Sequence, residues 1–116
     1  GYWMLYQDGH YFFNIGKGSD YQAWSVAASA GAEWTHITGT FTKDGQIKIY
    51  KNGVLANSQD VTGGIISLPT TKLVMATYRD GTTSGLWNFN GLIDEVRIYN
   101  RALSGEEIKR HYEMSK

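Results

Sequence analysis

Apolar and polar residues alternate with a period of two along most of this chain, and glycine-containing dipeptides interrupt the alternation at short intervals. Half-buried β-strands joined by tight turns have this pattern. Residues 2–7 are rich in aromatics and stop at Asp8-Gly9. Tyr11, Phe13 and Ile15 then alternate as far as Gly16-Lys-Gly18, so the two runs predict a hairpin. Trp24, Val26 and Ala28 share one face of a third strand ending near Ala30-Gly31. In a fourth, beginning at Trp34, Ile37 and Phe41 point one way and Thr38, Thr40 and Thr42 the other. Lys43-Asp-Gly45 connects to Ile47 and Ile49. Asn52-Gly53 is the strongest hairpin signal, since a type I′ turn needs positive φ at both central residues. Residues 54–56 end that hairpin, and a polar stretch follows.

Residues 72–78 form a nearly continuous apolar run, expected as a strand covered on both faces. Residues 79–85 are the longest turn-like segment. A final strand is expected over 87–99, where Leu92, Asp94, Val96 and Ile98 alternate with Ile93, Glu95, Arg97 and Tyr99. The pattern then changes. Ser104 and Glu107 make an S-x-x-E capping box, with Leu103 and Ile108 placed as a hydrophobic staple, so a helix is predicted from Ser104 to about Met114. Many short strands with regular turn signals predict an all-β antiparallel sandwich with one short C-terminal helix. No shift of composition marks a linker and no segment repeats, so residues 1–116 are expected to be a single domain.

Composition narrows the partners. Eleven basic and eleven acidic residues cancel, leaving no basic field to gather phosphate backbones, so nucleic acid is not expected. No apolar run is long enough to cross a membrane as a helix, and no membrane insertion is expected. The chain has no cysteine, which excludes disulfides and thiolate metal sites but assigns no compartment.

Three segments carry a family resemblance. Gly91-Leu-Ile-Asp-Glu-Val-Arg-Ile-Tyr-Asn-Arg-Ala-Leu-Ser104, followed by Glu106, Glu107 and Ile108, resembles the closing motif of laminin G-like, concanavalin A-like jelly-roll domains of secreted bacterial proteins. Trp34-Thr-His-Ile-Thr-Gly-Thr-Phe41 is similar to that family's W-x-H strand, and Ile47-Lys-Ile-Tyr-Lys-Asn-Gly-Val-Leu55 to its lYvNG hairpin. The resemblance implies a jelly-roll fold, an extracellular or cell-surface location, and a non-catalytic lectin-like module that binds a polysaccharide or other glycan. A protein–protein adhesion or structural module of a surface protein is the second reading, and a fragment of a glycoside hydrolase the third. A complete domain of this family has further strands upstream, so the chain is expected to be the C-terminal portion of a jelly roll, truncated at its N-terminus, or a short version of one. Absent strands leave sheet edges unpaired, and such edges favour a homodimer.

Glycosidases of this fold place two glutamates around an aspartate on one strand, and no Glu-x-Asp-x-Glu occurs here. His10, His36 and His111 have no metal-ligand spacing, so no enzyme is expected. Asp94 shares strand phase with Val96 and Ile98, which directs its carboxylate toward an apolar side. Two readings follow: a carboxylate satisfied by backbone amides or an arginine, or, as the resemblance implies, a ligand to a structural Ca²⁺. Tyr78, Arg79, Asp80, Trp87 and Asn88 combine aromatic rings with hydrogen-bonding groups beside a glycine-rich turn, a mixture suited to stacking and reading a sugar. Trp34, His36, Tyr50 and Tyr99 are expected as packing residues.

Overall fold

The computed structural model of the chain describes residues 1–16, 23–62, 73, 75–79 and 86–115. The chain divides into two compact units, one of Gly1–Leu68 with Tyr99–Lys116 and the other of Pro69–Ile98. The first unit holds β1 (Tyr2–Gln7), β2 (His10–Gly16), β3 (Ala23–Ser29), β4 (Ile37–Phe41), β5 (Gln46–Lys51), β6 (Val54–Asp60) and helix α1 (Gly105–Ser115). Strands β1-β2-β3 make one antiparallel sheet and β4-β5-β6 another.

Both predicted two-residue hairpins form. Asp8 and Gly9 have φ of 49° and 75°, and Asn52 and Gly53 have 50° and 79°. This left-handed pair of conformations matches the twist of the flanking strands. The register of β1 on β2 runs from Tyr2 opposite Ile15 to Gln7 opposite His10, which keeps Tyr11, Phe13 and Ile15 on one face.

That face meets the second sheet. Strand β3 lies over β5 and β6, and β2 over β4 and β5. Phe13, Ile15, Val26 and Ala28 from the first sheet pack with Ile47, Ile49 and the adjoining Val61, bordered by Tyr11, Ile37 and Phe41. Full burial of each large aliphatic contributes roughly 1.5–3 kcal/mol. Gly39 permits the close approach: a Cβ there would fall within the van der Waals envelope of the Phe13 ring. The result is the antiparallel β-sandwich that the alternation predicts.

Strand β6 differs from expectation. It continues through Asn57, Ser58, Gln59 and Asp60, although these residues are polar and exposed throughout. Pairing with β5 carries it on, with a bulge at Ile49/Tyr50, and polar side chains suit an edge strand. On the other face of the second sheet, Tyr50 is buried with Leu103 and Ile108, as the staple requires. The capping box closes in both directions: Glu107 N donates to Ser104 Oγ at 3.2 Å, and Ser104 N to Glu107 Oε2 at 2.8 Å. Arg101 adds a two-pronged contact to the Glu107 carboxylate, at 2.9 and 2.7 Å. A Cβ at Gly53 would stand 3.2 Å from Lys109 Cα and Tyr112 Cβ, so the hairpin turn needs glycine both for φ and for the helix packed across it.

The second unit is thinner in regular structure. Strands β7 (Thr77–Arg79) and β8 (Leu86–Asn88) form an antiparallel ribbon, prolonged by Phe89 N donating to Ala76 O at 2.9 Å. Two expectations are corrected here. Leu73 and Met75 are exposed, so the run that begins at residue 72 is not covered on both faces there. Residues 92–99 are exposed and form no strand, and Glu95 turns left-handed at φ 53°. Alternation gives a segment the capacity to pair, but a strand exists only when a neighbour supplies the ladder. The expected turn at 80–85 lies outside the described residues.

Candidate functional site

The β7–β8 ribbon gathers most of the predicted sugar-binding residues. Its register sets Tyr78 directly opposite Trp87, flanked by Thr77 opposite Asn88 and Arg79 opposite Leu86. Opposed residues on antiparallel strands have Cβ atoms about 5 Å apart. Residues nine positions apart in sequence are thereby neighbours, and Asn88 is exposed beside them. Asp80 lies outside the described residues.

Next along the same unit is a shallow, mostly apolar cleft of about 440 Å³, lined by Met75, Ala76 and residues 91–96. Ala76 and Glu95, on its two sides, both hold positive φ, at 62° and 53°. Neither is glycine, so the backbone here is held in an unfavourable conformation. Asp94 belongs to this cleft. The burial expected from its strand phase is not found: it is exposed, because no strand forms to aim it inward. One of its oxygens accepts from the Glu95 backbone N–H at 2.8 Å, and Glu95 pairs with Arg97 at 2.8 Å.

Calcium takes six to eight oxygen ligands. Among the described residues no three His, Cys, Asp or Glu side chains converge on a point that could hold a metal ion. Asp94 supplies one carboxylate, and a calcium ion held there would need its other oxygens from backbone carbonyls, water or other residues.

The chain matches a laminin G-like family model of the Concanavalin A-like lectin/glucanases superfamily over residues 1–109. The chain belongs to that superfamily. A crystal structure of residues 221–444 of an S-layer domain-containing protein from Clostridium thermocellum is also similar, at 24% identity and a TM-score of 0.56. The match covers 90% of this chain and 52% of that one, so this chain spans about half its length. That second likeness is one of fold. No helix among the described residues is long and apolar enough to cross a membrane.

Within this concanavalin A-like sandwich, the W-x-H segment behaves unevenly. His36 is half-buried, its backbone N–H donates to Asn52 Oδ1 at 3.0 Å, and its ring lies 6.0 Å from that of Tyr112. These contacts suit the packing role expected of it. Trp34 does not share that role. It precedes β4 and is 68% exposed, on a loop tied to the Asp8-Gly9 turn by Ala30 N donating to Gly9 O. Its position in a small-residue loop, Ala30-Gly-Ala-Glu33, was the available sign. Tyr99 is likewise exposed rather than packed, with its hydroxyl 3.4 Å from His111 Nδ1.

Proposed function

We propose that the chain is a non-catalytic carbohydrate-binding module whose sugar platform is the β7–β8 ribbon. The observation that carries this reading is the register pair Tyr78–Trp87, two aromatic residues at opposed positions with Arg79 and Asn88 adjacent. Sugars present apolar C–H faces to aromatic rings and hydroxyls to amide and guanidinium groups. Superfamily membership supports a recognition role, and the absence of a Glu-x-Asp-x-Glu strand supports a non-catalytic one. The test is titration of glycans against wild type, Trp87→Ala and Tyr78→Ala, with far-UV circular dichroism as a folding control. Each substitution is expected to weaken binding about tenfold or more, the scale of an interface hot spot. Failure to bind any glycan, or unchanged affinity in both variants, defeats the reading.

Adhesion or a structural role at a cell surface is the second reading, favoured by the fold shared with an S-layer domain-containing protein. The same likeness supports an extracellular or cell-surface location. A homodimer would accord with it: Tyr2, Met4 and Tyr6 are exposed on the core-facing side of β1, beside buried Ile15 and Phe13. Light scattering at micromolar concentration tests this, and a monomeric mass counts against it.

A further inference from the structure

Six asparagines stand in the chain, and two of them, Asn52 and Asn90, precede glycine. The backbone nitrogen that follows an asparagine is able to attack its side chain. That nitrogen bonds to Cγ, the side-chain amide leaves as ammonia, and a cyclic succinimide results. Water then opens the ring at either carbonyl, giving aspartate or isoaspartate. A following glycine favours the attack, because no Cβ crowds the nitrogen and the backbone is least restricted there. Ile15, Ser58, Phe89 and Arg101, which follow the other four asparagines, each carry a side chain.

Folding separates the two Asn-Gly pairs. Asn52 is fastened at both ends: its Oδ1 accepts from His36 N at 3.0 Å, and its own N–H donates to His36 O at 2.8 Å. To reach Gly53 N, the side chain must give up the first of these bonds. Gly53 itself is buried, and a Cβ there would stand 3.2 Å from Lys109 Cα and Tyr112 Cβ of helix α1. The longer main chain of an isoaspartate has no room in that turn. Asn90 has none of these restraints. It is exposed, two residues beyond the end of β8, and Gly91 beside it is exposed as well. The backbone bonding of the ribbon stops at Phe89 N, which donates to Ala76 O. Gly91 is also required where it is, since a Cβ there would stand 2.8 Å from Phe89 Cε1. The ring contact that demands glycine thus keeps the reactive dipeptide in place.

We infer that Asn90 is a site of spontaneous modification in the folded protein, converted through a succinimide to aspartate and isoaspartate, with water consumed and ammonia released. Eleven basic and eleven acidic residues give the chain a formal charge of zero, so each event makes it negative by one. The new carboxylate stands two residues from Asn88 of the ribbon and next to Gly91 of the apolar cleft. The isoaspartate form also lengthens the main chain at that point. The inference is independent of the carbohydrate reading.

The experiment is incubation of the full chain at mildly alkaline pH, in native buffer and in concentrated urea. Isoelectric focusing follows the charge, peptide mass mapping locates it, and enzymatic methylation with a protein isoaspartate methyltransferase detects the isoaspartate. In native buffer a more acidic band is expected, with Asn90 reacting about tenfold or more faster than Asn52. In urea the two rates should converge, because each site is then an Asn-Gly pair in an open chain. Asn90→Gln, whose longer side chain closes the ring poorly, should remove the native acidic band. Should that variant misfold, the peptide map of the unsubstituted chain decides. Equal rates at the two sites in the folded chain overturn the inference, as does reaction confined to Asn52. An Asn90 that stays intact in native buffer while the urea sample reacts also overturns it.

Discussion

Two adjacent stretches, residues 92–99 and residues 103–108, state their structure with similar clarity in the sequence, and they end differently. The second folds as written: Ser104 and Glu107 exchange their hydrogen bonds, Leu103 and Ile108 are buried against Tyr50, and α1 follows. The first alternates as a strand should, yet it is exposed along its length and bent at Glu95. The difference lies in where the partner comes from. A capping box closes within four residues, so its groups are always within reach. A strand leaves every N–H and C=O to be met by another segment, and the sequence of the strand does not name that segment.

The comparison can be broken by experiment, and the largest effect is expected in its apolar residues. Ile108 is fully buried and Ile98 is 55% exposed. By urea unfolding, Ile108→Ala should cost about 2–5 kcal/mol. Ile98→Ala, in dilute monomer, should stay within about 0.5 kcal/mol. Equal costs would mean that residues 92–99 are packed in solution and that the contrast is wrong.

A smaller effect is expected at the cap. Ser104→Ala removes the acceptor for Glu107 N and should cost about 1 kcal/mol, with helical circular dichroism reduced. An unchanged midpoint would assign the helix to its docking on Tyr50 alone.

Smaller still is a pH effect on the same cap. Hydrogen bonds from the Arg101 side chain and then the Ser104 backbone N–H lower the Glu107 pKa from 4.5 to about 2. Because the folded value is the depressed one, this contribution is fully present above the unfolded value near 4.5. It is lost as pH falls through about 2. Thermal midpoints should therefore fall across that window, and less steeply in Glu107→Gln. Parallel profiles for the two proteins would contradict the assignment.

The least effect is expected at Asp94. With one carboxylate on an exposed segment, exchanging chelator for excess Ca²⁺ should leave the thermal midpoint where it is. A rise in the midpoint that Asp94→Asn abolishes would return calcium to this residue, with its other oxygens drawn from elsewhere.

What could be read from the residues alone was whatever short-range chemistry settles. Asp8-Gly9 and Asn52-Gly53 specified their turns because positive φ is a property of two residues. The inward sets Phe13, Ile15, Val26, Ala28, Ile47 and Ile49 followed from a period of two, and the helix from its own cap. Tyr78 and Trp87 were legible as candidates by their chemistry. That they stand opposite one another was decided by the ribbon register.

Tertiary structure alone decided which alternating segments found partners. The polar second half of β6 became a strand because β5 lay beside it, while the alternating residues 92–99 did not pair. It also decided that Trp34 faces solvent, that Asp94 is exposed, and that Asn14 is sealed without a hydrogen bond. Burial and pairing are properties of two surfaces, and a single stretch of sequence describes only one of them.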